Sequence, residues 1–399
     1  MKKIAIMGGG PSGLYFAILA RKHFPGADIQ VYEQNPRDAT FGFGIILADG
    51  GYGRFRDADA ESAEALMAAS FPTRDRLISV NGETVEVRGG PTGYAIARLK
   101  LLNTLQALAE SRNIRVHYQT RIENPDTLGA DLIVGADGVN SALRKAYEGE
   151  FGTSCWTLKN RMAWYGTTRQ FPCPILSFKK TEYGHFWTAA YPHQGDMSTF
   201  VAECDADAWV RSGLNRMSMQ EQLAFAENIF AEELQGHPLL SNRSLWNSLP
   251  VIRNRHWHVG NRVLIGDALH SPHPSIGSGT RIAMEDAIAL VEALAAFPDD
   301  LPQALAAFQK NHSPQSDKLV HAMEKSALWY ECVAEKMDNL GPLSFVFDFM
   351  TRTGRLDETR LWREYPEFMA CFGEQWNRWL AEHGSHVRGS ATNSGVALQ

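Results

Sequence analysis

Residues 3–13 read KIAIMGGGPSG, and the fold is decided there. Lys3 to Met7 is a short apolar run of the kind a parallel sheet buries on both faces. Gly8, Gly10 and Gly13 follow with GxGxxG spacing around Pro11 and Ser12, and Leu14 to His23 carries helical spacing of apolar residues. Pro25-Gly26 ends that helix, and Ile29 to Glu33 is the next strand. The result is one βαβ unit of about thirty residues. In such a unit Gly8 permits the tight turn, Gly10 lets a pyrophosphate approach the backbone, and Gly13 lets helix pack on strand. The free N–H groups and dipole of the helix N-terminus favour the anion. Glu33, at the end of the second strand, would accept hydrogen bonds from a ribose. A glycine-rich turn without a ligand is the competing reading. The strand before it, the helix after it and the acid at Glu33 supply the context that separates the two.

The motif alone does not distinguish FAD from NAD. Two later segments bear on the choice. Leu132-Ile133-Val134 is an apolar strand that runs into Gly135-Ala136-Asp137-Gly138, and Arg262 to Ile265 is another that runs into Gly266-Asp267. A carboxylate at the C-terminal edge of a parallel sheet can hold sugar or ribityl hydroxyls of a long cofactor. After Asp267 come Pro274, Ser275, Ile276, Gly277, Ser278 and Gly279, and then a helix to Phe297. Backbone N–H groups there can face a flavin's pyrimidine edge and stabilise negative charge on the reduced ring.

Around this frame the chain is ordinary globular material. Of its 399 residues 44% are hydrophobic and 21% charged, which excludes disordered, collagen-like and coiled-coil classes. The formal charge of −6 leaves no overall basic field for nucleic acid. Five widely spaced cysteines without a CxxC pair argue against a disulfide framework or zinc knuckle and fit a reducing, cytoplasmic compartment. No apolar run reaches the ~18 residues of a membrane span, and the basic N-terminus runs too soon into glycines for a signal peptide.

The expected class is α/β. A Rossmann-like FAD-binding domain with a parallel sheet comprises residues 1–72, 92–152 and 251–320. An antiparallel-sheet substrate domain comprises 73–91 and 153–250, a C-terminal helical segment 321–380, and a disordered tail 381–399. Within this scheme 77–87 is a hairpin around Asn81-Gly82 and 99–111 a helix. Residues 156–170, 175–180, 185–191 and 198–203 read as antiparallel strands, and 218–234, 303–337 and 343–380 as helical.

The three glycine-containing segments, taken together, resemble the class A FAD-dependent aromatic hydroxylases, the para-hydroxybenzoate hydroxylase type. GxGxxG is at 8–13. Gly135-Ala136-Asp137-Gly138 is followed by Val139, Asn140, Ser141 and Arg144. Gly266-Asp267-Ala268-Leu269-His270 is followed by Pro274, Gly277, Gly279, Ala283, Asp286 and Ala287. Arg98, with Leu101 and Leu105, matches the family's Arg-x-x-Leu helix start. The stretch from Ser275 to Thr280 with Ala283 to Ala287 is similar to the subgroup of salicylyl-CoA 5-hydroxylase, 2-aminobenzoyl-CoA monooxygenase and the violacein-pathway tryptophan-derivative hydroxylase. Arg281 departs from the family's frequent Asn, and Pro274 from the subgroup's frequent Phe.

The resemblance implies FAD as cofactor and NADH or NADPH as a transient hydride donor. It implies an oxygen atom passed from a flavin C4a-hydroperoxide to an electron-rich ring, with a small aromatic substrate and O2 as partners. It places Arg98 near the flavin or its phosphates. As substrate the resemblance implies an aromatic carboxylate derivative, a CoA thioester among them, or an indole-type compound. A flavin oxidase or reductase on the same fold, or a flavin-binding redox sensor without turnover, is the alternative. The expected assembly is a monomer or homodimer.

Trp164, Tyr165, Trp187, Tyr191, Phe200 and His273 are the candidate substrate walls. Alternation along a strand lets His185, Trp187 and Ala189 share a face, which makes His185 a candidate base for a phenol, against a plain half-buried strand residue. His256 and His258 lack a further ligand at suitable spacing, so no metal is expected. Arg352, Arg355, Arg360 and Arg363 are either a grip for CoA phosphates or a solvated basic face.

Overall fold

The structure is a computed structural model that describes residues 1–40, 42–271, 273–374 and 377–378. The expected tail at 381–399 lies outside the described residues.

Strand Lys3–Met7 is buried from Ile4 onward and forms the middle of a six-stranded sheet. The order is His258–Val259, Arg262–Leu264, Leu132–Gly135, Lys3–Met7, Asp28–Tyr32, Arg115–His117, parallel except for the first pair. The order reverses on either side of Lys3–Met7. A crevice therefore opens at the carboxyl ends of Lys3–Met7 and Leu132–Gly135, where doubly wound sheets bind ligands. Helix Pro11–His23 starts with proline in its first turn, where the missing N–H is no loss. Helix Gly279–Ala296 packs against it over one buried core.

A seven-stranded sheet has the order Leu239–Leu240, Arg161–Thr167, Met197–Cys204, Gly184–Gln194, Ile175–Thr181, Arg76–Val80, Glu83–Val87. The hairpin at Asn81-Gly82 is as expected, with Asn81 at φ 49. One face packs Ala163, Tyr165, Phe186, Ala190, Phe200, Ala202 and Cys204 against Phe225, Phe230 and Leu234. The other face meets the crevice and the C-terminal helices, where Phe178 and Trp187 pack with Trp329, Tyr330, Phe345 and Phe349. Strand 156–170 is in fact two strands. Thr153–Thr157 pairs with Pro250–Asn254, and Arg161–Thr167 joins the large sheet. Between them the Lys159 and Asn160 N–H groups turn outward to the Glu331 carboxylate at 2.8 and 3.0 Å. A three-stranded sheet that composition did not announce, Gly44–Ala48, Gly93–Ala97 and Phe71–Thr73, lies beside the crevice. Helix Leu301–Glu331 runs 31 residues and ends at Cys332, so the expected helical run 303–337 is interrupted before Val333–Asn339.

Candidate active site

The three glycine-containing turns meet at the crevice. A Cβ on Gly8 would lie 2.2 Å from the Ala136 carbonyl oxygen, and one on Gly13 would lie 2.1 Å from the Gly8 carbonyl oxygen. Those positions admit only glycine, and they press the first turn onto the second. Gly266, at φ +61, packs on Ser12, which presses the third turn onto the first. Buried Arg144 ties the second to the third by donating to the Val139 and Ala268 carbonyls. Beneath Gly266 lies Asp286, with no exposed surface. It accepts from the Gly266 N–H, His270 Nε2 and His312 Nε2, each at 2.9 Å. Burial works to raise the Asp286 carboxyl pKa, and the two histidines more than reverse this and hold it low.

Gly10 has open space where Gly8 and Gly13 have none. The helix behind it has no side-chain cap, and neither does helix Gly279–Ala296 behind Ser278. Two helix N-termini thus present free N–H groups to one crevice, as anionic ligand groups require. Glu33 stands at the strand end, holding the Gly9 N–H at 2.8 Å and the Asn35 N–H at 2.7 Å. Oε1 also accepts from Asn35 Nδ2 at 2.8 Å, while Oε2, with the Gly9 N–H alone, keeps a second lone pair for a ribose hydroxyl. Asp137 gives one oxygen to the Ala142 N–H at 2.7 Å, while its buried Oδ1 has no partner. Arg98 has a buried Nε without a partner, and its guanidinium lies 6.0 Å over the Trp164 ring. Asp267 is exposed by surface area, yet burial raises its carboxyl pKa, with Arg98 the first charge opposing. A group both accessible and surrounded by protein lines an internal chamber. These orphaned groups and the open cradle fit a flavin adenine dinucleotide. The 8–13 turn would take its pyrophosphate, and the loop through Pro274, Gly277, Ser278 and Gly279 its pyrimidine edge.

The inner face of the large sheet shows where a substrate fits. Val201 pairs with Trp164 on one side and Ala189 on the other, and Ala189 pairs with Leu176. All four remain partly accessible although they lie on inner strands of the sheet, while the opposite face of the same strands is buried. Small side chains at Val201 and Ala189 make a floor. Trp164, Trp187, Glu203 and Tyr191 rim it, the Tyr191 hydroxyl donating to the Gly44 carbonyl at 2.7 Å. His273 reaches this rim from the loop after Asp267, stacked on Tyr330 at 5.4 Å.

Four of the six expected walls are therefore brought together: Trp164, Trp187, Tyr191 and His273. Tyr165 and Phe200 are not. Even-odd alternation puts them on the far face among Phe186, Ala202 and Phe230. His185 shares the inner face but stands at its far end, between Asp205 at 3.2 Å and Asp338 at 3.0 Å. It is a tether between strand and helix rather than a base at the ring. Sequence reading passed over Glu203, whose signal was a carboxylate in the inward register of a strand otherwise apolar at that depth.

The family profile described as "FAD binding domain" matches residues 93–321. A salicyloyl-CoA 5-hydroxylase from a Streptomyces species is 34% identical over 361 residues, 88% of this chain and 70% of that one. A 3-hydroxy-4-methyl-anthranilyl-[aryl-carrier protein] 5-monooxygenase of Streptosporangium sibiricum is 32% identical, covering 91% of this chain and 96% of that one. The chain belongs to the FAD-dependent aromatic-ring monooxygenases. A solved structure titled as the tetrameric form of 2-methyl-3-hydroxypyridine-5-carboxylic acid oxygenase shares the monooxygenase's fold. Its TM-score is 0.69 at 19% identity, over 85% of this chain and 94% of that one. The monooxygenase uses FAD, with NAD(P)H as reductant. Among its described residues no helix is long and apolar enough to cross a membrane.

Proposed function

We propose that this monooxygenase hydroxylates the ring of an aromatic acyl thioester that bears a hydroxyl or amino group ortho to the carbonyl. Bound FAD, reduced by NAD(P)H, supplies the activated oxygen. The chain's residues position the ring and keep water out. Val201 and Ala189 give the ring its floor, Trp164 and Trp187 its walls, and the loop from His273 to Gly279 sets its distance from the flavin.

The two relatives named above act on thioesters: one of coenzyme A, the other of a carrier protein. In both names position 5 is para to the ring carbon that carries hydroxyl or amino, the carbon such a substituent enriches in electrons. The observation that carries the reading here is an arginine group beside the flavin loop. Arg281 opens helix Gly279–Ala296, Arg355 follows helix Pro342–Thr351, and Arg360 lies in helix Glu358–Glu364. Arg281 and Arg360 each have a glutamate, Glu285 and Glu364. The Arg355 guanidinium has neither hydrogen bond nor ion pair among the described residues. Burial lowers its pKa, and Arg281 and Arg360 lower it further. Crowded cations of this kind suit a phosphate-bearing arm. Arg352, three residues earlier, anchors the segment on the Ser275 carbonyl at 3.0 Å.

The test is substrate-stimulated NAD(P)H oxidation with product analysis, across 2-hydroxybenzoyl-CoA, 2-aminobenzoyl-CoA, the free acids and indoles. The thioesters alone should accelerate oxidation and yield hydroxylated product. Arg355→Glu should raise the thioester KM about tenfold or more, the loss of one charge-assisted contact, with kcat little changed. Acceleration by free acids or indoles and not by thioesters refutes the proposal.

A further inference from the structure

We propose that Glu203 and His273 form the subsite that recognises the ring's own donor group, a phenolic hydroxyl or an aromatic amine. The inference rests on the reading of the chamber as the place of an aromatic substrate.

Glu203 is 6% exposed, and no described residue donates a hydrogen bond to its carboxylate. A buried carboxylate without donors is an expensive arrangement, and a fold keeps it where a ligand completes it. The cation-forming group nearest to it is His273, whose Nε2 is 3.7 Å from Glu203 Oε2. That is too far for a direct hydrogen bond. The tautomer of His273 follows from its other nitrogen. Nδ1 accepts from the Ser275 N–H at 3.2 Å, so in the neutral ring the proton sits on Nε2. An acceptor and a donor thus face each other across a gap that a hydroxyl can bridge, donating to Glu203 and accepting from His273.

The surroundings repeat the pattern. Trp187 is the cross-strand partner of Glu203, is 1% exposed, and its buried Nε1 has no partner. Tyr330 stacks on His273 at 5.4 Å and on Trp187 at 6.0 Å, which closes the pocket on the side of helix Leu301–Glu331. Glu203 and Trp187 lie two residues along their strands from Val201 and Ala189, so the subsite adjoins the floor of the chamber. Apolar walls with a few convergent, unpaired polar groups are what a binding site for a small aromatic molecule presents. A ring hydroxyl that donates to a carboxylate gains electron density. The subsite therefore both selects a donor-substituted ring and enriches the carbon para to the donor.

The experiment measures equilibrium binding to the purified holoenzyme by the change in flavin absorbance. The ligands are 2-hydroxybenzoyl and unsubstituted benzoyl, each as CoA thioester and as free acid. Wild type should bind the hydroxylated ring at least tenfold more tightly than the unsubstituted one. Glu203→Gln, near-isosteric, should reduce that preference below threefold while leaving benzoyl affinity and flavin content unchanged. His273→Gln should likewise reduce the preference below threefold and serves as the second variant. Binding confined to the free acids would refute the thioester reading, and the Glu203 comparison then stands on the free-acid pair. A wild-type enzyme indifferent to the hydroxyl in every series, or a Glu203→Gln enzyme that keeps the full preference, overturns the subsite.

Discussion

Asp286→Ala is the substitution that bears hardest on how the flavin loop is held. The side chain has no exposed surface and takes three donors at 2.9 Å: the Gly266 N–H, His270 and His312. Removing one partner of a buried charged cluster costs about 3–5 kcal/mol. The stranded Gly266 N–H alone would account for roughly 1–3 kcal/mol, and because all three bonds belong to one network these figures do not add. The expected loss is about 4 kcal/mol, a large part of the 5–15 kcal/mol typical of a folded domain. Gly266 is also the residue that packs the third turn on Ser12, so flavin should be retained less well. The assay is urea denaturation of wild type, Asp286→Asn and Asp286→Ala, with flavin content measured after gel filtration. Asp286→Asn keeps the shape and one acceptor and should lose about half as much.

The pH dependence has a definite sign. A carboxyl held below its ordinary 3.8 stabilises the fold above that value and loses the contribution as pH falls through the folded value. His270 is held above its ordinary 6.5, burial being outweighed by Asp286, so its contribution is complete below 6.5 and fades as pH rises through the folded value. Wild-type stability should therefore be highest between these limits, and Asp286→Asn should flatten that maximum. A loss under about 1 kcal/mol for Asp286→Ala, with normal flavin content, would refute the reasoning.

Three other outcomes follow from the same geometry. Arg98→Ala removes a cation with an unpartnered Nε beside Asp267, and should weaken FAD binding about 10- to 100-fold by flavin titration, the worth of one charge-assisted hydrogen bond. Gly13→Ala puts a carbon 2.1 Å from the Gly8 carbonyl oxygen, and the protein should be purified either colourless or insoluble. His185→Ala should leave turnover and its pH profile unchanged and lower stability by about 1–2 kcal/mol, read by urea midpoint. The His185 pKa is raised first by its hydrogen bond to Asp205, so that stability loss should be full below the ordinary 6.5 and shrink as pH rises through the folded value.

The cofactor end of this site was legible because a nucleotide cradle demands glycine at fixed spacings, and steric necessity at Gly8 and Gly13 leaves a mark in sequence. The substrate end was half legible. Alternation put Trp187 and His185 correctly on one face, but it cannot say how far along a strand the chamber reaches, and His185 lies past its edge. For Tyr165 and Phe200 the aromatic character was read as a binding wall, although both faces of this sheet are covered, and aromatics serve either cover equally well. The meeting of Glu203 with His273, and of Asp286 with His312, joins residues far apart in the chain, which no local pattern announces. The break at residues 158–160 depends on Glu331, 171 to 172 residues further along the chain.

The middle of the parallel sheet has a consequence for biogenesis. Lys3–Met7 pairs with Leu132–Gly135, which in turn pairs with Arg262–Leu264. At bacterial or eukaryotic elongation speeds the nascent polypeptide waits on the order of tens of seconds between the first of these partners and the last. During that interval an apolar strand edge stays open on the ribosome, so yield should depend on chaperone capacity and on slow translation more than on the stability of the finished enzyme.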